Sequence, residues 1–260
     1  MRVKANGITI NYQIDGAEGA PWLVLSNSLA TNLSMWDEQA AALKKSFRVL
    51  RYDQRGHGGT EAPAARYSFD LLIADVIALL DALSIKRAHF GGLSMGGATA
   101  LGLALRHPDR IDRAIICDSG CASTPATGQQ WEERIAAARK GGMEAMVDST
   151  MARWFPPEII KANPPYLDKV RAMIRSTPVE GFIGCAAALA DHDFRSAVAT
   201  TTRPLLFIVG EKDGPQPAAM RDMHQKVPGS RYVELPGAGH ISNMDQPALF
   251  TKAIVEFLGS

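Results

Sequence analysis

The chain is predicted to adopt an α/β fold: a mostly parallel central sheet flanked by helices, with a helical cap inserted between two of its strands. Three observations predict this. Short aliphatic runs alternate with amphipathic stretches over the first half of the chain. The alternation stops near residue 122, gives way to helical pattern as far as residue 194, and then resumes. The composition, 46% hydrophobic and 21% charged over 260 residues, is that of a globular protein with a large core. One domain with an insertion accommodates this length: residues 1–121 and 195–260 as the core, 122–194 as the cap.

In chain order, Met1 to Ile10 alternates apolar and polar residues and reads as a strand. It lacks the charged start and apolar run of a signal peptide, so export is not expected. Trp22 to Ser26, Arg48 to Arg51, Ala88 to Gly92 and Arg113 to Cys117 are the next strands. Between them, Leu72, Val76, Leu79, Leu80 and Leu83 recur at three- and four-residue steps, which predicts a helix over Phe69 to Leu83. A second helix runs from Met95 to Arg106 and ends before His107-Pro108. In the cap, Pro156-Pro157 and Pro164-Pro165 cut the helical pattern into short pieces. The α/β rhythm returns with a strand at Leu205 to Val209, a helix near Ala218 to Lys226, a strand at Arg231 to Leu235 and a closing helix from Gln246 to Phe257. There are no internal repeats.

The charge balance, 28 Lys and Arg against 27 Asp and Glu, offers no basic surface for nucleic acid. No stretch approaches the roughly 18 apolar residues of a membrane span. The three cysteines, Cys117, Cys121 and Cys185, cannot all pair and lack the spacing of a zinc site, which suits a reducing cytoplasm. No metal-ligating cluster and no cofactor motif is evident. Asp53 to Gly58 is glycine-rich but lacks the lysine and spacing of a phosphate loop.

Gly92-Leu-Ser94-Met-Gly96 lies at a predicted strand-to-helix junction, the context of a nucleophile elbow. Glycines beside the serine let strand and helix approach, leaving the hydroxyl at a helix N-terminus where backbone N–H groups favour negative charge. The alternative is a tight structural turn with an idle serine. A serine hydroxyl needs a histidine to take its proton and an acid to hold that histidine. His240, in the small-residue loop Gly237-Ala-Gly-His240 after the last strand, is the candidate base. His107, His89 and His224 suit capping, packed or surface roles, and His57, in a glycine loop, stands second. Asp213, in the turn directly after the Leu205 strand, is the candidate acid, with Glu211 in the same turn and Asp118 at an earlier strand end as alternatives. An oxyanion needs two preorganised donors: the Met95 N–H, just after the nucleophile, and the Leu29 N–H in Ser26-Asn-Ser-Leu29.

Taken together, Asp53-Gln-Arg-Gly-His-Gly58, the elbow at Ser94, the Gly210 to Asp213 turn and Gly237 to His240 resemble the α/β-hydrolase family over essentially the whole chain. Many of its members carry His-Gly where Asn27-Ser28 stands here. Leu25-Ser-Asn-Ser-Leu29 followed by Met35-Trp36-Asp37, Trp131-x-x-Arg134, and Arg153-Trp154-Phe155 are similar to the 3-oxoadipate enol-lactonases within that family. The resemblance implies hydrolysis of 3-oxoadipate enol-lactone to 3-oxoadipate, a step of the β-ketoadipate pathway of protocatechuate and catechol degradation. Such a substrate is a small anionic lactone whose free carboxylate needs a cation or several donors. Trp131 and Arg134 share one face of a cap helix and Trp154 could wall the pocket, with Arg134 as the leading cation and Arg153, Arg171, Arg175 and Arg195 as alternatives. Rival readings are a general carboxylesterase, a haloperoxidase-like relative, and a slow-turnover small-molecule receptor on the same fold. The oligomeric state is left open.

Overall fold

The computed structural model describes residues 1–259; Ser260, the last residue of the predicted core segment, lies outside the described residues. The first residues, read from the sequence as one strand, form a hairpin instead. Asn6 and Gly7 take φ of 45° and 77°, two left-handed residues in succession, so β1 (Arg2–Ala5) turns back onto β2 (Ile8–Asp15). The core continues with β3 (Trp22–Ser26), α1 (Asp37–Leu43), β4 (Arg48–Tyr52), α2 (Phe69–Ala82), β5 (Ala88–Leu93), α3 (Met95–Arg106) and β6 (Ile111–Cys117). The inserted helices are α4 (Pro125–Gly141), α5 (Val147–Trp154), α6 (Pro157–Ala162), α7 (Tyr166–Ser176) and α8 (Val179–Asp191). After them come β7 (Leu205–Gly210), α9 (Gln216–Lys226), β8 (Arg231–Leu235), α10 (Ser242–Asp245) and α11 (Pro247–Leu258).

The strands form one sheet in the order β1-β2-β4-β3-β5-β6-β7-β8, parallel from β4 to β8. All six residues of β7 and the last four of β3 and β5 are buried, as expected for strands covered by helices on both faces. Helix α2 follows its predicted periodicity, with Leu72, Val76, Leu79 and Leu80 packed inward and Ser68 capping its start through the Leu71 N–H. Strand order reverses around β3, which pairs with both β4 and β5, and open α/β sheets place their crevice at such a point. Ser26 lies opposite Gly92, Leu93 opposite Cys117, and Cys117 opposite Ile208. The loops carrying Leu29, Ser94, Asp118 and Asp213 therefore leave the sheet on one edge.

The inserted helices rise from that edge. At their base Ala122 bridges Asp193, Ser123 N–H donates to His192 C=O at 2.8 Å, and Phe194 N–H donates to Cys121 C=O at 2.8 Å. Pro157 opens α6 and Pro165 immediately precedes α7, places where a missing N–H leaves no helical bond unmade. Helix α8 seats the insertion on the core. Gly181 approaches Gly56 so closely that a Cβ on either would meet the other's backbone. Among the described residues no helix is long and apolar enough to cross a membrane.

Candidate active site

Ser94 ends the β5 turn at φ 56° and ψ −112°, a region costing a non-glycine residue about 1–3 kcal/mol. The surroundings impose it: Ser94 N–H donates to Cys117 C=O at 2.7 Å, and Ser94 C=O accepts from Ala98 N–H at 2.9 Å. Gly92 and Gly96 make room, because a Cβ at Gly92 would strike the Gly96 backbone and one at Gly96 would strike the Ser26 backbone. The side chain is thereby left half-buried at the start of α3.

His240 Nε2 stands 2.9 Å from Ser94 Oγ, and its Nδ1 stands 2.8 Å from Asp213 Oδ2. A carboxylate only accepts, so Nδ1 carries the proton and the lone pair of Nε2 faces the serine hydroxyl. Asp213 and His240 are 7% and 5% exposed, so this chain of hydrogen bonds is shielded from competing water. Lys212 N–H donates to Ala238 C=O at 2.8 Å, tying the Asp213 turn to the His240 loop. The inserted helices also hold this histidine. His240 N–H donates to Trp154 C=O at 2.7 Å, and the Trp154 indole stacks on the imidazole at 6.1 Å between centroids.

The alternative acids are occupied elsewhere. Glu211 is exposed and accepts from Gly237 N–H at 2.8 Å. Asp118 is fully buried, accepts from Gly210 N–H at 2.8 Å and from the Ser242 hydroxyl, and so clamps β6, β7 and the segment after His240 together. Burial, reinforced by the nearby Asp213 charge, pushes the Asp118 carboxyl well above the usual carboxylate range. His57 is fully buried away from Ser94, beneath the loop that follows β3.

The Met95 and Leu29 N–H groups both lie just beyond strand ends at the serine's edge of the sheet. Met95 is the first residue of α3, where an N–H has no partner within its helix. In the loop after β3, Ser28 N–H points to Met35 Sδ at 3.4 Å, Ala30 N–H donates to His57 Nε2 at 2.9 Å, and Thr31 N–H donates to Ser28 C=O at 3.3 Å. The Leu29 N–H between them has no partner among the described residues, although Leu29 is only 2% exposed. Asn27 takes a structural part: its amide donates to the Ser28 and Thr31 carbonyls at 2.8 and 3.1 Å and accepts from Gln54 N–H at 2.9 Å.

Ser94 and His240 open on a cavity of about 400 Å³, whose other walls include Trp131, Arg153, Leu189 and Gln216. Of the residues proposed from the sequence to meet substrate, Trp131 lines this cavity, whereas Arg134 and Trp154 do not. Trp154 is 1% exposed and turned against His240. Arg134 lies against Trp131 and Phe182, donates to Thr150 Oγ1 at 3.0 Å, and has its pKa depressed by burial and by the charge of Arg153. Arg153 reaches the cavity. Its guanidinium lies 5.1 Å from the Trp131 ring centre; the residue as a whole stays exposed, and desolvation at the cavity wall lowers its pKa against the opposing pull of Asp213. The other cations on the wall are paired, Arg195 with Asp193 and Lys226 with Asp222. Among the described residues Arg153 is therefore the cavity cation without a carboxylate partner. Arg171 and Arg175 pair with Asp168 and Glu144 outside the cavity. Sequence spacing favoured Arg134 because it sits one turn from Trp131; the packing of α5 against α4, which brings Arg153 to the same indole, leaves no mark in local spacing.

A family model described as the alpha/beta hydrolase fold matches residues 21–247. The chain belongs to the α/β-hydrolase family. It is 35% identical to 3-oxoadipate enol-lactonase 2 of Acinetobacter baylyi over 96% of this chain and 93% of that protein. It is also 35% identical to 3-oxoadipate enol-lactonase 1 of the same organism, over 100% of this chain and 97% of the relative. The crystal structure of the enol-lactonase from Burkholderia xenovorans LB400 is 42% identical and superposes with a TM-score of 0.96 over the whole of both chains.

Proposed function

We propose that this protein hydrolyses 3-oxoadipate enol-lactone to 3-oxoadipate, in the β-ketoadipate pathway, through an acyl-enzyme on Ser94. The observation that carries this reading is the hydrogen-bonded chain Asp213–His240–Ser94 opening on a cavity with one unpaired guanidinium. The likeness to enol-lactonases supports 3-oxoadipate enol-lactone as the substrate.

In this reading Ser94 Oγ bonds to the lactone carbonyl carbon as His240 Nε2 takes its proton. The Met95 and Leu29 N–H groups receive the charge that develops on the carbonyl oxygen. The ring C–O bond then breaks, its electron pair stays on the enol oxygen, and His240 returns a proton to that oxygen. The acyl-enzyme keeps every atom of the lactone, because the leaving group is tethered. An enol in that position can attack back, and its conversion to the ketone removes the nucleophile and makes ring opening effectively one-way. Water, deprotonated by His240, then adds to the acyl carbon and Ser94 leaves with the proton restored. Asp213 holds the imidazole and stabilises its charged form.

The free carboxylate of the lactone is assigned to Arg153, with Trp131 as the wall beside it and Arg134 behind, on the far side of the cavity lining. Residues 122–194 act as a cap that closes the cavity over the core segments 1–121 and 195–260. The test is a substrate comparison, following loss of enol-lactone absorbance beside hydrolysis of neutral p-nitrophenyl esters. Preference for the anionic lactone supports the proposal. No lactone turnover, with good turnover of neutral esters, replaces it with a carboxylesterase.

A further inference from the structure

The Asp53–Gly58 motif takes no part in the relay, yet its most buried member contacts the loop beside it. We propose that His57 is a positioning residue, whose neutral imidazole accepts the Ala30 N–H and so holds the adjoining Leu29 N–H as an oxyanion donor. The proposal rests on the reading of Ser94 as nucleophile.

The loop after β3 has to be braced. Ala30 takes φ 57°, a left-handed conformation that residues with a Cβ adopt only where their surroundings impose it. Its N–H points at His57 Nε2, 2.9 Å away. The other ring nitrogen, Nδ1, lies 3.1 Å from Arg55 C=O, and a carbonyl only accepts. The proton therefore sits on Nδ1, and Nε2 presents a lone pair to Ala30. An imidazolium would set one N–H against another. His57 is 0% exposed, and burial, opposed by the Arg55 carbonyl and the Asp53 charge, lowers its pKa to about 4, so the accepting form persists at neutral pH.

The rest of the motif braces the same loop at other points. Gln54 donates twice to Asn27, from its N–H to the side-chain oxygen and from its amide to the backbone carbonyl, each at 2.9 Å, and Asp53 Oδ1 accepts from Leu33 N–H at 2.7 Å. Arg55 anchors the motif in turn, donating to both oxygens of the buried Asp75 at 2.7 and 2.6 Å. Within the stretch Ser28 to Thr31 these constraints leave one N–H uncommitted, that of Leu29. A buried backbone N–H is rarely left without a partner unless water or a ligand supplies one. His57 holds the peptide immediately after it.

The test compares His57→Phe, which keeps bulk but cannot accept, with His57→Gln, whose amide oxygen can. Acylation is measured by stopped flow with the enol-lactone and with p-nitrophenyl acetate, and lactone binding is measured in a Ser94→Ala background. His57→Phe is expected to slow acylation about 10- to 100-fold and to weaken a trifluoromethyl ketone, which forms an oxyanion adduct, by the same factor. Ground-state binding is expected to stay within about twofold, and His57→Gln to recover most of the loss. Parent-like acylation in folded His57→Phe overturns the proposal, as does a loss that tracks the thermal midpoint and is not recovered by Gln. A readout on the parent protein needs no variant to fold: imidazole ¹⁵N shifts are expected to show a protonated Nδ1 and a bare Nε2 at pH 7, and the opposite tautomer or an imidazolium contradicts the geometry. Hydrolysis that survives Ser94→Ala removes the nucleophile reading itself, while the ¹⁵N shifts still decide the His57–Ala30 bond.

Discussion

Arg153→Gln separates recognition of the substrate from the chemistry performed on it. The side chain lines the cavity that Ser94 opens on, contacts Trp131, and has no carboxylate partner among the described residues. A charge-assisted hydrogen bond is worth roughly 1.5–3 kcal/mol, and removing it from a carboxylate-bearing substrate converts to a loss of roughly 10- to 150-fold. Glutamine keeps two donors on a shorter side chain, so the change removes the charge together with part of the reach. The assay is kcat/KM for the anionic enol-lactone and for p-nitrophenyl acetate on parent, Arg153→Gln and Arg134→Gln proteins. The lactone value is expected to fall by the stated factor in Arg153→Gln while the neutral ester stays within about threefold. Arg134→Gln, whose guanidinium is held by Thr150 outside the cavity, is expected to change the lactone-to-ester ratio far less. An unchanged ratio in Arg153→Gln, or a larger change in Arg134→Gln, would refute the assignment of the carboxylate to Arg153.

Two buried groups outside the relay, His57 and Asp118, give opposite pH signatures. His57 has its pKa depressed to about 4 in the folded protein against about 6.5 unfolded, so the unfolded chain binds more protons between those values and stability falls as pH drops through that window, by up to about 3 kcal/mol. Denaturant midpoints measured from pH 7 to 4.5 are expected to fall less steeply in His57→Gln than in the parent; identical slopes contradict this. Asp118 is shifted the other way, so its contribution is complete below the ordinary carboxylate pKa and is lost as pH rises through its raised folded value. Asp118→Asn can still accept from Gly210 N–H and is expected to flatten the fall in stability as pH rises above the ordinary carboxylate range, an effect absent if the carboxyl is already ionised at low pH. Gly181→Ala places a methyl group against the Gly56 backbone and is expected to cost about 1–3 kcal/mol, read from the denaturant midpoint. A neutral outcome there means that α8 can shift away from the core freely.

The elements most legible in the sequence are those with strong periodicity and firm punctuation. Strands β3 and β8 and helix α3 coincide with their expected limits, because aliphatic runs and the His107-Pro108 stop mark them locally. Ser94, Asp213 and His240 stand in three separate motifs, each following a strand end, and parallel pairing gathers those strand ends on one edge. The hairpin at Asn6-Gly7 did leave a signal, two residues suited to positive φ, which the alternating pattern on either side obscured. Helix α1 spans only seven residues, too few turns for a hydrophobic period to stand out. Arg153, Trp154 and His57 were legible as residue types but not in place. Whether an arginine meets Thr150 or the cavity, and whether an indole walls a pocket or stacks on an imidazole, is set by how α4, α5 and the loop before His240 pack together. Tertiary contacts of that kind have no counterpart in local spacing.

The most direct test of the mechanism is steady-state hydrolysis of 3-oxoadipate enol-lactone by the parent protein and by Ser94→Ala, with circular dichroism confirming that both are folded. The parent is expected to turn the lactone over, and the variant to lose roughly four or more orders of magnitude in kcat. Equal turnover by Ser94→Ala would contradict the role of Ser94 and, with it, the mechanism built on its hydrogen bond to His240.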